Sequence, residues 1–526
     1  MVQLSQVDRG ISPPNVTIPR EYNAAYDLIG RNLQAGRGDK LAYIDDRGQY
    51  TYAELSRRAN RFANVLGSLG VRREERVLLC LLDTIDFPVC LLGGILAGAV
   101  PVAANTLLTT TDYDYMLRDS GASTLVVSHL LWPHFAEIVD AIPTLKHVII
   151  SDGEALGRYS LASLMAAASS DFTVADTCSD ETCFWLYSSG STGKPKGTVH
   201  LHSNLIQTAE LYAIPTLGIN EKDVVFSAAK LFFAYGLGNG LTFPLSVGAT
   251  TVLMGERPTP EAVFKRLREH QPSIFGGVPT LYASMLAHPD CPRGDELRNL
   301  RCCTSAGEAL PEDIGNRWSR HFGVDILDGI GSTEMLHIFI SNHFGDVRYG
   351  TTGKPCAGYR VRLVDPEGLP VAPGEIGELE ISGPSMAFCY WNNVSKSRST
   401  FRGEWMHCGD KYTQTADGYY VYAGRSDDML KVGGIYVSPT EVESVLISHP
   451  DILEVAVVGS KDDEGLVKPR AFVVLKPGRQ ASATLADDLK AFVKERLAPY
   501  KYPRWIEFID ELPKTATGKI QRFKLR

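Results

Sequence analysis

No His or Cys cluster of metal-ligand spacing occurs in this sequence. Its ten cysteines include no Cys-x-x-Cys pair, and the adjacent Cys302 and Cys303 suit neither a zinc site nor an ordinary disulfide. Mostly reduced thiols in a cytoplasmic protein are expected. The opening MVQLSQVDRG lacks the apolar core of a secretory signal. One long charge-free run, Phe87 to Thr111, is broken by Pro88, Gly93, Gly94, Gly98 and Pro101. A buried helix near 88–98 and a strand near 99–104 are expected there, not a membrane span. A basic excess is also missing: 53 Lys and Arg against 61 Asp and Glu give −8. From Asp428 onward 16 basic and 14 acidic residues give +2, leaving −10 for the rest. Such a distribution does not suit a nucleic-acid binder. There is no G-x-S-x-G elbow, no internal repeat and no low-complexity tract.

Over the first 400 residues, amphipathic helical windows alternate with short apolar runs. TYAELSRRANRFANVLGSLG precedes ERVLLCLL, AEIVDAIP precedes HVIIS, and PEAVFKRLREHQP precedes SIFGGVP. That alternation predicts an α/β fold of layered sheets and helices with parallel strands. Near Tyr359 the texture changes to β-hairpin material: YRVRLVD, GEIGELEISG and DGYYVYAGR. The last hundred residues return to mixed helices and strands. The expected division is a large N-terminal domain over 1–426, including the hairpin-rich subdomain, and a small α+β C-terminal domain over 427–526.

Four clusters carry candidate chemistry. The run Tyr187-Ser-Ser-Gly-Ser-Thr-Gly-Lys-Pro-Lys-Gly197 follows an apolar strand, and its glycines, hydroxyls and amides suit phosphate oxygens. Lys194 and Lys196 add charge. The spacing is two residues short of a Walker A loop. The run Asp328-Gly-Ile-Gly-Ser-Thr-Glu334 presents Thr333 for a phosphate and Glu334 for Mg2+, although a capped helix start reads equally well. Asp410, with Arg425 downstream, suits vicinal ribose hydroxyls; a turn aspartate is the plainer reading. The run Pro513-Lys-Thr-Ala-Thr-Gly-Lys519 would present Lys519 on a tight loop near the C-terminus, where a lone lysine is usually just solvated.

In this order and spacing the four clusters, with Ser-Ala-Gly-Glu-Ala-Leu-Pro at 305–311 and GRSDDMLKVGG at 424–434, resemble the adenylate-forming superfamily. That superfamily comprises acyl-CoA synthetases, peptide-synthetase adenylation domains and luciferases. The resemblance covers essentially the whole chain. It implies that a carboxylate is activated with ATP as an acyl adenylate, then passed to coenzyme A. By the same resemblance, Ser188, Ser189, Gly190, Ser191, Thr192, Gly193, Lys194 and Lys196 hold the β- and γ-phosphates. Gly307, Glu308, Ala309 and Asp328 line the adenine slot, and Asp410 and Arg425 hold the ribose. Thr333 binds the α-phosphate, Glu334 the metal, and Lys519 bridges carboxylate and α-phosphate. The small domain is mobile, turning about a hinge at Asp427 so that Lys431, Gly433 and Gly434 form the coenzyme A channel. No carrier domain follows Arg526, which favours free coenzyme A over a protein-bound thiol. Relatives also suggest a homodimer and a lysine acetyltransferase acting on Lys519.

The segment Lys230-Leu-Phe-Phe-Ala-Tyr-Gly-Leu-Gly-Asn-Gly240 stands where aryl-CoA ligases build the acyl pocket. Phe233, Ala234, Tyr235 and Gly236 offer flat walls for one aromatic ring, and a buried core run is the alternative. Ile330, Gly331, His337 and Ile338 would face the ring edge, with Leu336 filling space. The runs KLFFAYGLGNGLTFP, GSTEMLHIF and LAPYKYPRW look closest to bacterial benzoate-CoA ligases and nearly as close to 4-hydroxybenzoate-CoA ligases. An aromatic carboxylate is therefore the expected substrate.

Overall fold

The amphipathic window after Thr51 folds as the helix Tyr52–Ser68, capped by the Thr51 hydroxyl, which accepts from the Glu54 amide. In the computed structural model, residues 2–188, 194–426, 428–432, 435–464, 466–498, 500–514 and 520–526 are described. The charge-free run forms the helix Asp86–Leu96 and the strand Val100–Ala103, as its Gly and Pro punctuation predicts. The two helices cross tightly at Gly93, where a Cβ would sit 2.6 Å from the Ala59 carbonyl oxygen. Among the described residues no helix is long and apolar enough to cross a membrane.

These helices lie between two large sheets. The eight-stranded sheet runs, in spatial order, Cys389–Tyr390, Lys196–Leu201, Thr182–Ser188, Val100–Ala103, Arg76–Cys80, Thr124–Ser128, His147–Ser151 and Tyr159–Ser160. Its last six strands are parallel, while Lys196–Leu201 pairs antiparallel with both of its neighbours. The nine-stranded sheet is parallel through Ile326–Gly331, Cys302–Ser305, Ile274–Gly277, Val224–Ser227 and Thr250–Val252. One buried core joins the sheets through the helices: it contains Tyr43 from the second sheet, Leu79 and Phe184 from the first, and Phe62 and Phe87 from between them.

The hairpin texture beyond Tyr359 forms a third, antiparallel sheet from Arg360–Val364, Gly377–Ser382, Phe401–Arg402, Trp405–Gln414 and Tyr420–Arg425. The C-terminal domain carries the strands Ile452–Lys461, Val467–Leu475 and Trp505–Phe508 with the helices Pro439–Ile447 and Ala483–Lys494. Leu430, Val432 and Val437 of the preceding two-stranded hairpin bury into that domain's own core.

One window behaves differently. AEIVDAIP makes no α-helix; around it only the 3-10 turns His129–His134 and Val139–Ala141 form. Pro133 withholds a backbone donor and Pro143 closes the run, leaving too few residues for a regular helix.

Candidate active site

The strands Ile326–Gly331 and Ile338–Ser341 pair antiparallel, with Ile330 opposite Ile340. Residues 332–337 connect them as a turn, not as the helix start that GSTE allowed. Inside the turn, the Ser332 hydroxyl accepts from the Met335 amide at 3.1 Å, and the Leu336 amide donates to the Thr333 carbonyl. From outside, three successive carbonyls are tied down. His200 Nε2 lies 2.9 Å from Thr333 O, the Ala387 amide 2.7 Å from Glu334 O, and Ser385 Oγ 2.8 Å from Met335 O. The backbone that carries Thr333 and Glu334 is thus held by groups from 200 and from 385–387.

The Glu334 carboxylate accepts from the Tyr390 hydroxyl at 2.7 Å and faces Ser188 Oγ at 3.4 Å. Lys196 Nζ stands 4.3 Å above the Tyr390 ring, and Lys194 Nζ 4.8 Å above that of Tyr115. Burial pushes the Lys196 ammonium below its usual range, while the Glu334 carboxylate pulls it back up. The two strands bordering this side are braced too: the Tyr187 hydroxyl donates to Asp119 at 2.7 Å, and Trp391 donates to the Asp119 and Gly197 carbonyls. A carboxylate and a hydroxyl are hard oxygen ligands, so Glu334 and Ser188 fit Mg2+ shared with phosphates.

Ser188, Lys194, Lys196, Thr333, Glu334 and Tyr390 line one cavity of about 1440 Å3. Gly307, Glu308, Ala309 and Asp328 line another part of it. One Asp328 oxygen lies 3.5 Å from the Leu310 amide; the other is buried with no hydrogen-bond partner. Burial pushes this carboxyl up to about 8. Asp410 and Arg425 stand opposite each other on neighbouring strands, with Nη1 3.3 Å from Oδ1. The guanidinium also donates to the Cys408 carbonyl. On the C-terminal domain's side, Arg522 forks onto Glu443 at 2.7 Å, and both residues line the cavity. Neither was singled out by sequence reasoning, because an Arg–Glu pair 79 positions apart leaves no local pattern.

Phe233, Ala234, Tyr235, Ile330, Gly331, His337 and Ile338, the residues expected to form an acyl pocket, line the same cavity. Gly236 does not: it sits beneath the wall, where a Cβ would meet the carbonyl oxygens of Ala229 and Lys230. Its role is to let that backbone cross. Leu336 also departs from expectation. With φ at 65° it turns away from the cavity into the core that contains Leu205. His337 is 2% exposed; its Nε2 lies 3.2 Å from the Tyr235 carbonyl, and its ring packs on Phe243 and Tyr212. Burial lowers its pKa to about 3, so the ring is neutral. The Tyr235 hydroxyl is bonded to Thr304 Oγ1 at 2.7 Å.

Ser189, Gly190, Ser191, Thr192, Gly193, Asp427, Gly433, Gly434 and Lys519 lie outside the described residues. Lys431 lies in the strand Leu430–Val432, paired with Tyr436.

A family model described as AMP-binding enzyme matches residues 31–391, and one described as AMP-binding enzyme C-terminal domain matches residues 441–519. The chain is 65% identical to a benzoate–CoA ligase of Thauera aromatica over 528 residues, covering 100% of both chains. It is 48% identical to a 4-hydroxybenzoate–CoA/benzoate–CoA ligase of Rhodopseudomonas palustris, covering 96% of this chain and 94% of that one. Among solved structures it resembles a benzoate CoA ligase from Burkholderia xenovorans LB400. There the TM-score is 0.91 and the identity 57%, covering 96% of this chain and 100% of that one.

Proposed function

The chain belongs to the AMP-binding enzyme family, and from that premise we propose that it is an AMP-forming benzoate–CoA ligase. One observation carries the choice of acid. The aromatic rings of Phe233 and Tyr235 line the cavity, and two nearby polar atoms are engaged by the protein: the Tyr235 hydroxyl with Thr304, and His337 Nε2 with the Tyr235 carbonyl. An unsubstituted ring asks for no hydrogen bond there.

ATP and coenzyme A are the co-substrates. In the first step a benzoate oxygen attacks the α-phosphorus, a P–O bond to the β-phosphate breaks, and pyrophosphate leaves. In the second, the coenzyme A sulfur attacks the acyl carbon, and AMP departs with the bonding electron pair. Repulsion between carboxylate and phosphate opposes the first step. Lys194, Lys196 and Lys519 supply opposing charge, and Thr333 orients the α-phosphate. Glu334 and Ser188 would hold Mg2+, whose charge neutralises the phosphates. Asp410 and Arg425 would grip the ribose, and Asp328 with Gly307–Ala309 the adenine. The domain division at 426/427, the hinge at Asp427 and the channel at Lys431, Gly433 and Gly434 are part of this proposal. So are a cytoplasmic location and inactivation by acetylation of Lys519, which would remove a charge.

Pyrophosphate release measured across benzoate, hydroxybenzoates and aliphatic acids, with and without coenzyme A, tests the assignment. Benzoate should lead, and thioester should form only with coenzyme A. A second reading, 4-hydroxybenzoate, rests on His337 Nδ1, a buried nitrogen with no partner that could accept a phenol proton. Higher kcat/KM for the hydroxylated acid would install it.

A further inference from the structure

The strand Lys196–Leu201 leaves the phosphate run and passes beside the Thr333–Glu334 turn. Side chains alternate along a strand, so Lys196, Thr198 and His200 share one face. Lys196 is at the Tyr390–Glu334 end of that face, and Thr198 is paired with Tyr390 in register. His200 is fully buried, its ring stacked on Phe184 at 5.2 Å between centroids. Its Nε2 lies 2.9 Å from the Thr333 carbonyl oxygen, and its Nδ1 3.4 Å from Asn204 Oδ1. That Asn204 oxygen already accepts from the Leu201 amide, and the Asn204 amide nitrogen donates to Pro384 O. Asn204 is therefore fixed in orientation, with its acceptor oxygen and not its NH2 group toward the imidazole.

A carbonyl oxygen only accepts, so the His200–Thr333 contact requires a proton on Nε2. Burial pushes the His200 pKa down to about 4, leaving one ring proton, and the shorter contact takes it. The imidazole is then a single directed donor. It joins the strand Lys196–Leu201 to the carbonyl of Thr333, whose side chain would face the α-phosphate in the ligase reading. Glu334 follows in the chain, with its carbonyl on Ala387 and its carboxylate on Tyr390. Without His200 the Thr333 carbonyl would keep only the Leu336 amide, a donor inside the same turn, so the turn as a whole could shift and misaim both side chains. The acyl wall would feel this less, because His337 is held separately by Tyr235.

We propose that His200 is a positioning residue for adenylation: its Nε2–H, bonded to the Thr333 carbonyl, sets the aim of Thr333 and Glu334 toward the polyphosphate. The proposal rests on the ligase reading above. It predicts a larger effect on the first half-reaction, since the phosphates that Glu334 and its metal would serve leave as pyrophosphate before the thioester step.

The test uses the full-length enzyme and compares His200→Gln, whose amide can place a donor near the Nε2 position, with His200→Leu, which has none. Benzoate-dependent exchange of pyrophosphate into ATP reports the first half-reaction; thioester formation from supplied benzoyl-AMP and coenzyme A reports the second. His200→Leu should raise KM for ATP or lower exchange by about tenfold or more, the size expected for one lost hydrogen bond to a buried carbonyl. Its thioester step should stay within about threefold of wild type. His200→Gln should recover most of the exchange. Equal losses in both half-reactions, or His200→Gln as impaired as His200→Leu, would overturn the positioning role. Unchanged exchange in His200→Leu would do so as well. Were wild type itself to lack benzoate-dependent exchange while exchanging with another acid, the substrate reading would fall; the His200 comparison would then be repeated with that acid.

Discussion

Residues 332–337 serve two sides of one cavity, and the two sides are built differently. Toward the proposed phosphate site, Glu334 is partly exposed and bonded to two hydroxyls, with Lys196 nearby. Toward the proposed acyl site, His337 is buried, neutral and locked to the backbone of the opposite wall. One side answers to charge; the other answers to shape. Substitutions should divide along the same line, altering ATP use on the first side and acid choice on the second.

The largest effect is expected at Lys519. Lys519→Ala should lower benzoyl-AMP formation by about 10²–10³-fold, in the range of lost transition-state electrostatics, and largely spare thioester formation from supplied benzoyl-AMP. Separate assays of the two half-reactions check it; equal losses would remove Lys519 from adenylation. Asp427→Pro is expected to do the reverse, because proline restricts the backbone rotation that thioester formation requires. If steady-state thioester synthesis were unchanged, the hinge would lie elsewhere.

On the ring side, Gly331→Ala would put a Cβ 2.6 Å from the His337 carbonyl oxygen. Its kcat/KM for benzoate should fall by about tenfold or more, a cost within the usual range for overpacking, while the KM for ATP changes little. A larger change in ATP KM than in benzoate KM would break the division between the two sides. Of similar size is the expected selectivity for benzoate over 4-hydroxybenzoate, at least about tenfold in kcat/KM. An unpaired buried hydroxyl costs roughly 1–3 kcal/mol, and tenfold is only about 1.4 kcal/mol. Loss of the hydroxylated substrate alone in His337→Ala would show that Nδ1 accepts the phenol proton.

The smallest effect concerns pH. The folded Asp328 carboxyl titrates near 8, above its unfolded value of 3.8. The folded state therefore holds a proton that the unfolded chain releases. Stability from this group is fully present below about 4 and is lost as pH rises through about 8. Melting curves should show Asp328→Asn gaining a few degrees relative to wild type between pH 5 and pH 8. A constant offset across that range would mean the carboxyl is ionised throughout.

The α/β layering was legible because period and punctuation are local properties: the helix Asp86–Leu96 and the strand Val100–Ala103 lie where Gly and Pro suggest. Resemblance located Glu334, Asp410 and Arg425 through short, ordered motifs, and the fold places all three on one cavity. His200, Asp119 and Tyr390 were not legible. Each acts through a partner 56 to 133 positions away, and nothing beside a lone buried histidine announces which carbonyl it will meet. Gly236 and Leu336 were misplaced for a related reason. Composition suggests what a wall contains, but the crossing backbone at Lys230 and the left-handed φ at Leu336 decide which residues face inward.

The helices wedged between the two large sheets govern how the molecule comes apart. Phe62 and Phe87 pack into the same core as Tyr43 and Phe184, so neither sheet can be uncovered alone. Amide hydrogens of the strands Arg76–Cys80 and Ile274–Gly277 should therefore exchange with deuterium in concert, at the rate of global opening. Those of Val467–Leu475, whose domain has its own cores, should exchange on an independent clock.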